Sequence, residues 1–191
     1  MRIAIFIFPE LTELDAIGVM DPLARVAAMG IDPNCSVKLI GTHEQVLGHF
    51  GAGIKVEAVR PRLDRFDLLV IPGGFGTREL QNDIEVIDYL RTWGTTKPLA
   101  TVCTGALLAA SAGFLQGKRA ATHRAAAEEL ASYGVDVVHE RIVEDGLVIT
   151  AGGVTSALDL GLYLVEKYWG PEARQRIATQ MEYRDDGPRP T

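Results

Sequence analysis

Residues 101–108 read Thr-Val-Cys-Thr-Gly-Ala-Leu-Leu, an apolar run ending at Val102, one cysteine, and a small-residue run beginning at Gly105. A strand that stops at a cysteine and turns at once into a helix presents Cys103 at a helix N-terminus. There the partial positive charge of the helix end and nearby backbone N–H groups favour thiolate. The competing reading is a small buried hydrophobe, which free cysteine often is. The neighbouring IPGGFG stretch, residues 71–76, favours the nucleophile. It ends the preceding strand with flexible backbone at Gly73 and Gly74, a source of oxyanion-type N–H donors.

Working outward, apolar runs of strand length recur at Ile3–Phe8, Val37–Ile40, Leu68–Ile71 and Leu99–Val102. They alternate little, as strands buried on both faces do, and helix-like segments separate most of them, so the pattern predicts a parallel sheet covered by helices. A first helix is expected from Thr12, where Thr12 and Asp15 can form a capping box, with a kink or break at Pro22. Residues 46–59 read as a hairpin excursion, and Glu79–Trp93 as a helix with an apolar stripe and a charged back. After the Cys103 helix come a short strand ending at His123, a helix over Ala125–Tyr133, and a hairpin turning at Asp145-Gly146. A helix over Thr155–Tyr168 and a shorter one after Pro171 complete the core. The tail DDGPRPT is expected to fray or to dock on a partner.

The chain has 191 residues, 47% of them hydrophobic, enough for one well-buried core and a single domain over 1–191. Its net charge of −6, without a Lys/Arg block, gives no electrostatic footprint for nucleic acid or an anionic membrane. The opening apolar run is too short to span a membrane and lacks a small-residue cleavage site. Two cysteines make no disulfide framework, so Cys35 and Cys103 are read as reduced thiols of a cytoplasmic protein that handles a small molecule.

On the segments FDLLVIPGGFG, TVCTGALLAASAGFLQGKRAATH, VVHERIVEDG and ITAGGVTSALD, the chain resembles the ThiJ/PfpI superfamily, and within it the isonitrile hydratase branch. LQGKRAATH and VHERIVEDG are also shared with ligand-binding domains of AraC-type regulators. The resemblance covers nearly the whole chain. It implies a flavodoxin-like α/β sandwich, with a mostly parallel central sheet flanked by helices and a cysteine nucleophile elbow, in a homodimer. It further implies hydration of a small isonitrile to an N-substituted formamide without metal or organic cofactor. Cys103 would be the nucleophile and Asp15, in ELDAIG, the general acid/base. Thr104 stands where protease-like relatives carry a histidine after the cysteine.

The chemistry is consistent with those assignments. An isonitrile carbon accepts sulfur as it takes up a proton, so nucleophile and proton source must share one small site. A desolvated carboxyl at that site is expected to have a raised pKa. Asp15 could instead be a helix cap, and Glu10 or Glu13 could hold the carboxyl role, although solvated surface acids are their commoner fate. Gly73 and Gly74 are turn residues whose N–H groups could approach substrate. Thr104 could line the pocket or cap the helix. His123, matching a histidine of the deglycase branch, is a substrate-side candidate or a structural histidine.

His139 and Glu140, adjacent in an alternating strand, should face opposite ways and so fail to complete an amidotransferase-like triad. Relatives carry an aromatic where this chain has Arg124, which bears on substrate size and polarity. The alternatives are a superfamily hydrolase, glyoxalase or deglycase, and a ligand-binding or oxidative-stress-sensing module in which Cys103 is oxidised.

Overall fold

Apolar runs without alternation can be satisfied only where both faces of a strand are covered, and those runs form the middle of the sheet. The computed structural model describes residues 1–184, so the expectation for DDGPRPT lies outside the described residues. In chain order the elements begin β1 (Arg2–Ile7), α1 (Glu13–Ala28), β2 (Ser36–Gly41), β3 (Gln45–Leu47), β4 (Gly53–Lys55), β5 (Ala58–Val59) and β6 (Leu68–Ile71). They continue with α2 (Thr77–Leu80), α3 (Ile84–Arg91), β7 (Leu99–Val102), α4 (Gly105–Ser111), β8 (Arg119–Ala120) and α5 (Ala127–Ala131). The last are β9 (Asp136–Val137), β10 (Ile142–Asp145), β11 (Val148–Ala151) and α6 (Ser156–Gln180).

The main sheet has the order β10-β11-β7-β6-β1-β2-β5. All its pairings are parallel except β10 with β11, which form the expected hairpin with Asp145 opposite Val148. Every residue of β6, β7 and β11 is buried, as is β1 after Arg2. The chain leaves β1 towards β2 on one side and resumes at β6 on the other. The carboxyl ends of β1, β6 and β7 therefore flank a topological switch point, where α/β folds open a crevice for ligands. The 46–59 excursion is the β3–β4 hairpin, and its chain then returns to the sheet as β5. Helices α1 and α6 pack on each other, while α4 is packed by α2, α3 and α5.

Four expectations change. The stretch Glu79–Trp93 is two helices, because Asp83 accepts the N–H groups of Glu85 and Val86 and starts α3 afresh. Helix α1 runs unbroken through Pro22, although an interior proline typically costs about 3 kcal/mol. Packing on α6 compensates: a Cβ on Gly161 would lie 2.8 Å from Pro22 Cγ, and one on Gly18 would lie 2.8 Å from Ala157 Cβ. The helix expected over Ala125–Tyr133 is a 3₁₀ turn, Arg124–Ala126, followed by α5. Residues 138–140 lie outside any strand, so the facing argument for His139 and Glu140 has no strand to rest on. The break before Pro171 is present as a kink at Gly170, with φ 88°. Among the described residues no helix is long and apolar enough to cross a membrane.

Candidate active site

Cys103 follows β7 with φ 56°, a left-handed conformation that costs a non-glycine residue on the order of 1–3 kcal/mol and persists only when its surroundings over-determine it. They do so here. The Cys103 N–H donates to the carbonyls of Ala151 and Gly152, at 3.0 and 2.9 Å, and its carbonyl accepts the Thr122 hydroxyl at 2.8 Å. Gly105 begins α4 so tightly against the end of β6 that a Cβ there would collide with the Ile71 and Pro72 carbonyls. The small-residue run after the cysteine is thus a steric requirement of the elbow.

Asp15 lies in the first turn of α1 and is fully buried. The capping box does not form: Thr12 is the N-cap residue but makes no side-chain cap bond. The Asp15 carboxyl turns inward instead, where Oδ2 accepts the Gly73 N–H at 3.1 Å and Oδ1 is buried without a hydrogen-bond partner. The segment after β1 is pinned to the IPGG turn by Thr12 N–H on the Gly73 carbonyl, 3.0 Å, and Gly76 N–H on the Glu10 carbonyl, 3.2 Å. Thr104 braces the same turn, accepting the Gly74 N–H at 2.9 Å and donating to the Gly74 carbonyl at 3.1 Å. Both glycine N–H groups are therefore already engaged by side chains. They position Asp15 and Thr104 rather than offering free oxyanion donors, a correction to the sequence expectation.

Burial pushes the Asp15 carboxyl up to about 7, against the Cys103 thiol and the Gly73 N–H, which favour the carboxylate. Burial also pushes the Cys103 thiol up to about 12; the Asp15 charge adds to the rise, while the Thr104 backbone N–H and hydroxyl oppose it. Burial thus opposes the thiolate that a helix end favours. Alone, the helix end and two donors do not outweigh desolvation beside a carboxylate. What the fold builds is a buried thiol–carboxyl pair in which Asp15 titrates near neutrality.

Cys103, Thr104, Gly74 and His123 line a cavity of about 380 Å³ whose apolar wall includes Phe50, Phe75 and Val154. His123 brings its Nδ1 back to accept the Ala125 N–H at 3.2 Å. The aromatic wall was not anticipated. Phe75 stacks on His49 at 4.1 Å, and His49 pairs with Glu10 at 2.8 Å. Glu13 holds the Phe50 loop through the N–H groups of Phe50 and Ala52, at 2.9 and 3.2 Å. Glu10, at the surface as expected, and the half-buried Glu13 both fasten the β3–β4 hairpin, and the glycines at 48, 51 and 53 were the available signal. His139, Glu140 and Arg124 line a different cavity, so no triad assembles at the sulfur. Cys35 is also free and buried, with its thiol raised by burial. No cluster of three or more His, Cys, Asp or Glu fit to hold a metal occurs among the described residues.

Comparison with known proteins agrees with this architecture. The chain is 32% identical over 185 residues to an isonitrile hydratase of Pseudomonas putida, covering 96% of this chain and 78% of that protein. It is 29% identical over 104 residues to deglycase PfpI of Pyrococcus furiosus, a match that covers 53% of this chain and 63% of the relative. A crystal structure of a ThiJ/PfpI family protein from Pseudomonas syringae superposes with a TM-score of 0.85 at 27% identity, covering 99% of this chain and 76% of that one. The family model matching residues 1–167 is that of the DJ-1/PfpI family. With the elbow, the flanked parallel sheet and this match in agreement, the chain belongs to the DJ-1/PfpI family.

Proposed function

We propose that this protein hydrates small isonitriles, R–N≡C, to N-substituted formamides, with Cys103 as nucleophile and Asp15 as the proton carrier. The feature that carries the reading is the buried Asp15–Cys103 pair, in which burial raises the carboxyl to about 7 and the thiol to about 12. Ionised Asp15 takes the thiol proton as sulfur attacks the isocyano carbon, then returns that proton to the same carbon, giving the thioimidate R–N=CH–S–Cys103. Water adds across the C=N bond, its proton passing through Asp15 to nitrogen. The C–S bond then breaks, the hydroxyl proton returns to sulfur, and R–NH–CHO leaves. The Thr104 backbone N–H steadies the sulfur while it is negative, and the aromatic wall receives R. The steps draw on water and the chain's own residues.

The test is conversion of cyclohexyl isocyanide to N-cyclohexylformamide by the purified protein, followed by chromatography, with Cys103→Ala as the blank. Absence of formamide across several isonitriles, with the protein folded, overturns the reading. A second reading, a glyoxalase or deglycase, is favoured by His123 on the same cavity as Cys103, and lactate from methylglyoxal without formamide would select it. We also propose a cytoplasmic homodimer, consistent with the exposed apolar side chains Leu14, Ile17 and Leu47. Sedimentation at the monomer mass at micromolar concentration would refute the dimer.

A further inference from the structure

Residues 122–124 are a shared wall. His123 faces the Cys103 cavity, while its neighbours Thr122 and Arg124 line a second cavity of about 220 Å³, together with His139, Glu140, Arg141 and Ser156. Alternation along an extended segment produces this division, and His123 has extended backbone, φ −60° and ψ 134°.

Most of the charges around this second cavity are matched. Glu140 is held by Arg119 at 3.1 Å, and Arg141 by Asp159 and by Thr155 Oγ1 at 3.2 Å. Arg124 and His139, both exposed, have no ion pair or hydrogen bond from their side chains among the described residues. Ser156 is 2% exposed at the start of α6, and its hydroxyl has no partner among the described residues. That hydroxyl is not one of the fully buried unpaired atoms and so opens on the cavity, where it offers a donor beside the guanidinium, a fork of fixed donors suited to paired oxygens. The one carboxylate lining the cavity, Glu140, is paired with Arg119, which leaves the Arg124 guanidinium without a counter-charge among the described residues.

We infer that this cavity binds a small oxyanion, a carboxylate or phosphoryl group, between the Arg124 guanidinium and the Ser156 hydroxyl. The site is distinct from the sulfur and does not rest on the reaction assigned to it, although Thr122 and Gly152, which bond the Cys103 carbonyl and N–H, are also walls of this cavity.

Inorganic phosphate and acetate, each titrated against sodium chloride at matched ionic strength, test the inference by thermal shift and calorimetry. One of them should raise Tm saturably in the millimolar range, and the tighter of the two identifies the group as phosphoryl or carboxylate. Arg124→Gln and Ser156→Ala, checked for folding by circular dichroism, should each weaken that binding about tenfold, the scale of one charge-assisted hydrogen bond. Cys103→Ala should bind as the parent does. The inference is overturned if neither anion exceeds chloride, if both cavity variants bind unchanged, or if Cys103→Ala abolishes binding and so places the anion at the sulfur.

Discussion

Asp15→Asn should make the protein more stable at alkaline pH while removing its activity. The carboxyl is fully buried, and its pKa stands at about 7 against an ordinary 3.8. A shift of about three units corresponds to roughly 4 kcal/mol between the two protonation states. The sign follows from linkage. Below the ordinary value the carboxyl is neutral in both folded and unfolded chains. Between 3.8 and about 7 the unfolded chain releases the proton that the folded one retains, so stability falls as pH rises and levels off above 7. Asparagine keeps an oxygen for the Gly73 N–H and carries no charge, so it escapes that penalty. In urea unfolding at pH 8 the variant should exceed the parent by up to about 4 kcal/mol, and the two should converge near pH 4. Because Thr12 makes no cap bond, no cap is lost to offset the gain. Turnover should fall on the order of 10²-fold or more, the usual contribution of a positioned acid/base. Equal stability at pH 8, or a variant less stable at every pH, would refute the buried-carboxyl argument. Unchanged turnover would refute the proton-carrier role even if the stability result held.

The acid limb of kcat/KM should have a midpoint near 7 and fall tenfold per pH unit below it, because protonated Asp15 cannot accept the thiol proton; a profile flat from pH 5 to 8 contradicts this. Iodoacetamide should alkylate Cys103 slowly at neutral pH and faster as pH rises past 9, and Asp15→Asn should increase the rate there by removing the charge that holds the thiol up. Fast alkylation at pH 7, read by peptide mapping, would show a resting thiolate instead. Gly73→Ala should cost about 1–3 kcal/mol and most of the activity, since its Cβ would lie 2.6 Å from the Thr104 nitrogen and 2.8 Å from Asp15 Oδ2. Near-parental melting and kinetics would mean that the turn relaxes freely.

The parallel core could be read from the sequence because β1, β6 and β7 are apolar without alternation, which admits one environment. Asp145-Gly146 likewise allowed only a tight hairpin turn. What could not be read was whichever of two local signals prevails once the chain packs. Thr12-x-x-Asp15 satisfies the capping pattern, yet Asp15 turns into the core because the IPGG turn brings the Gly73 N–H and Cys103 against it from 58 and 88 positions away. Pro22 signals a break, yet α1 continues because Gly18 and Gly161 let α6 pack against it closely.

The charge state of Cys103 is the deepest case. A helix end and a neighbouring N–H are local and visible in TVCTG; the desolvation that outweighs them is a property of the whole packed switch point. In the proposed hydration, that reversal also explains how the site would manage without a histidine at residue 104. A thiol kept protonated needs a base that is weak in the resting state and close enough to take the proton only as sulfur reacts. A carboxyl raised to about 7 by the same burial meets that need, so one desolvated volume prepares both partners.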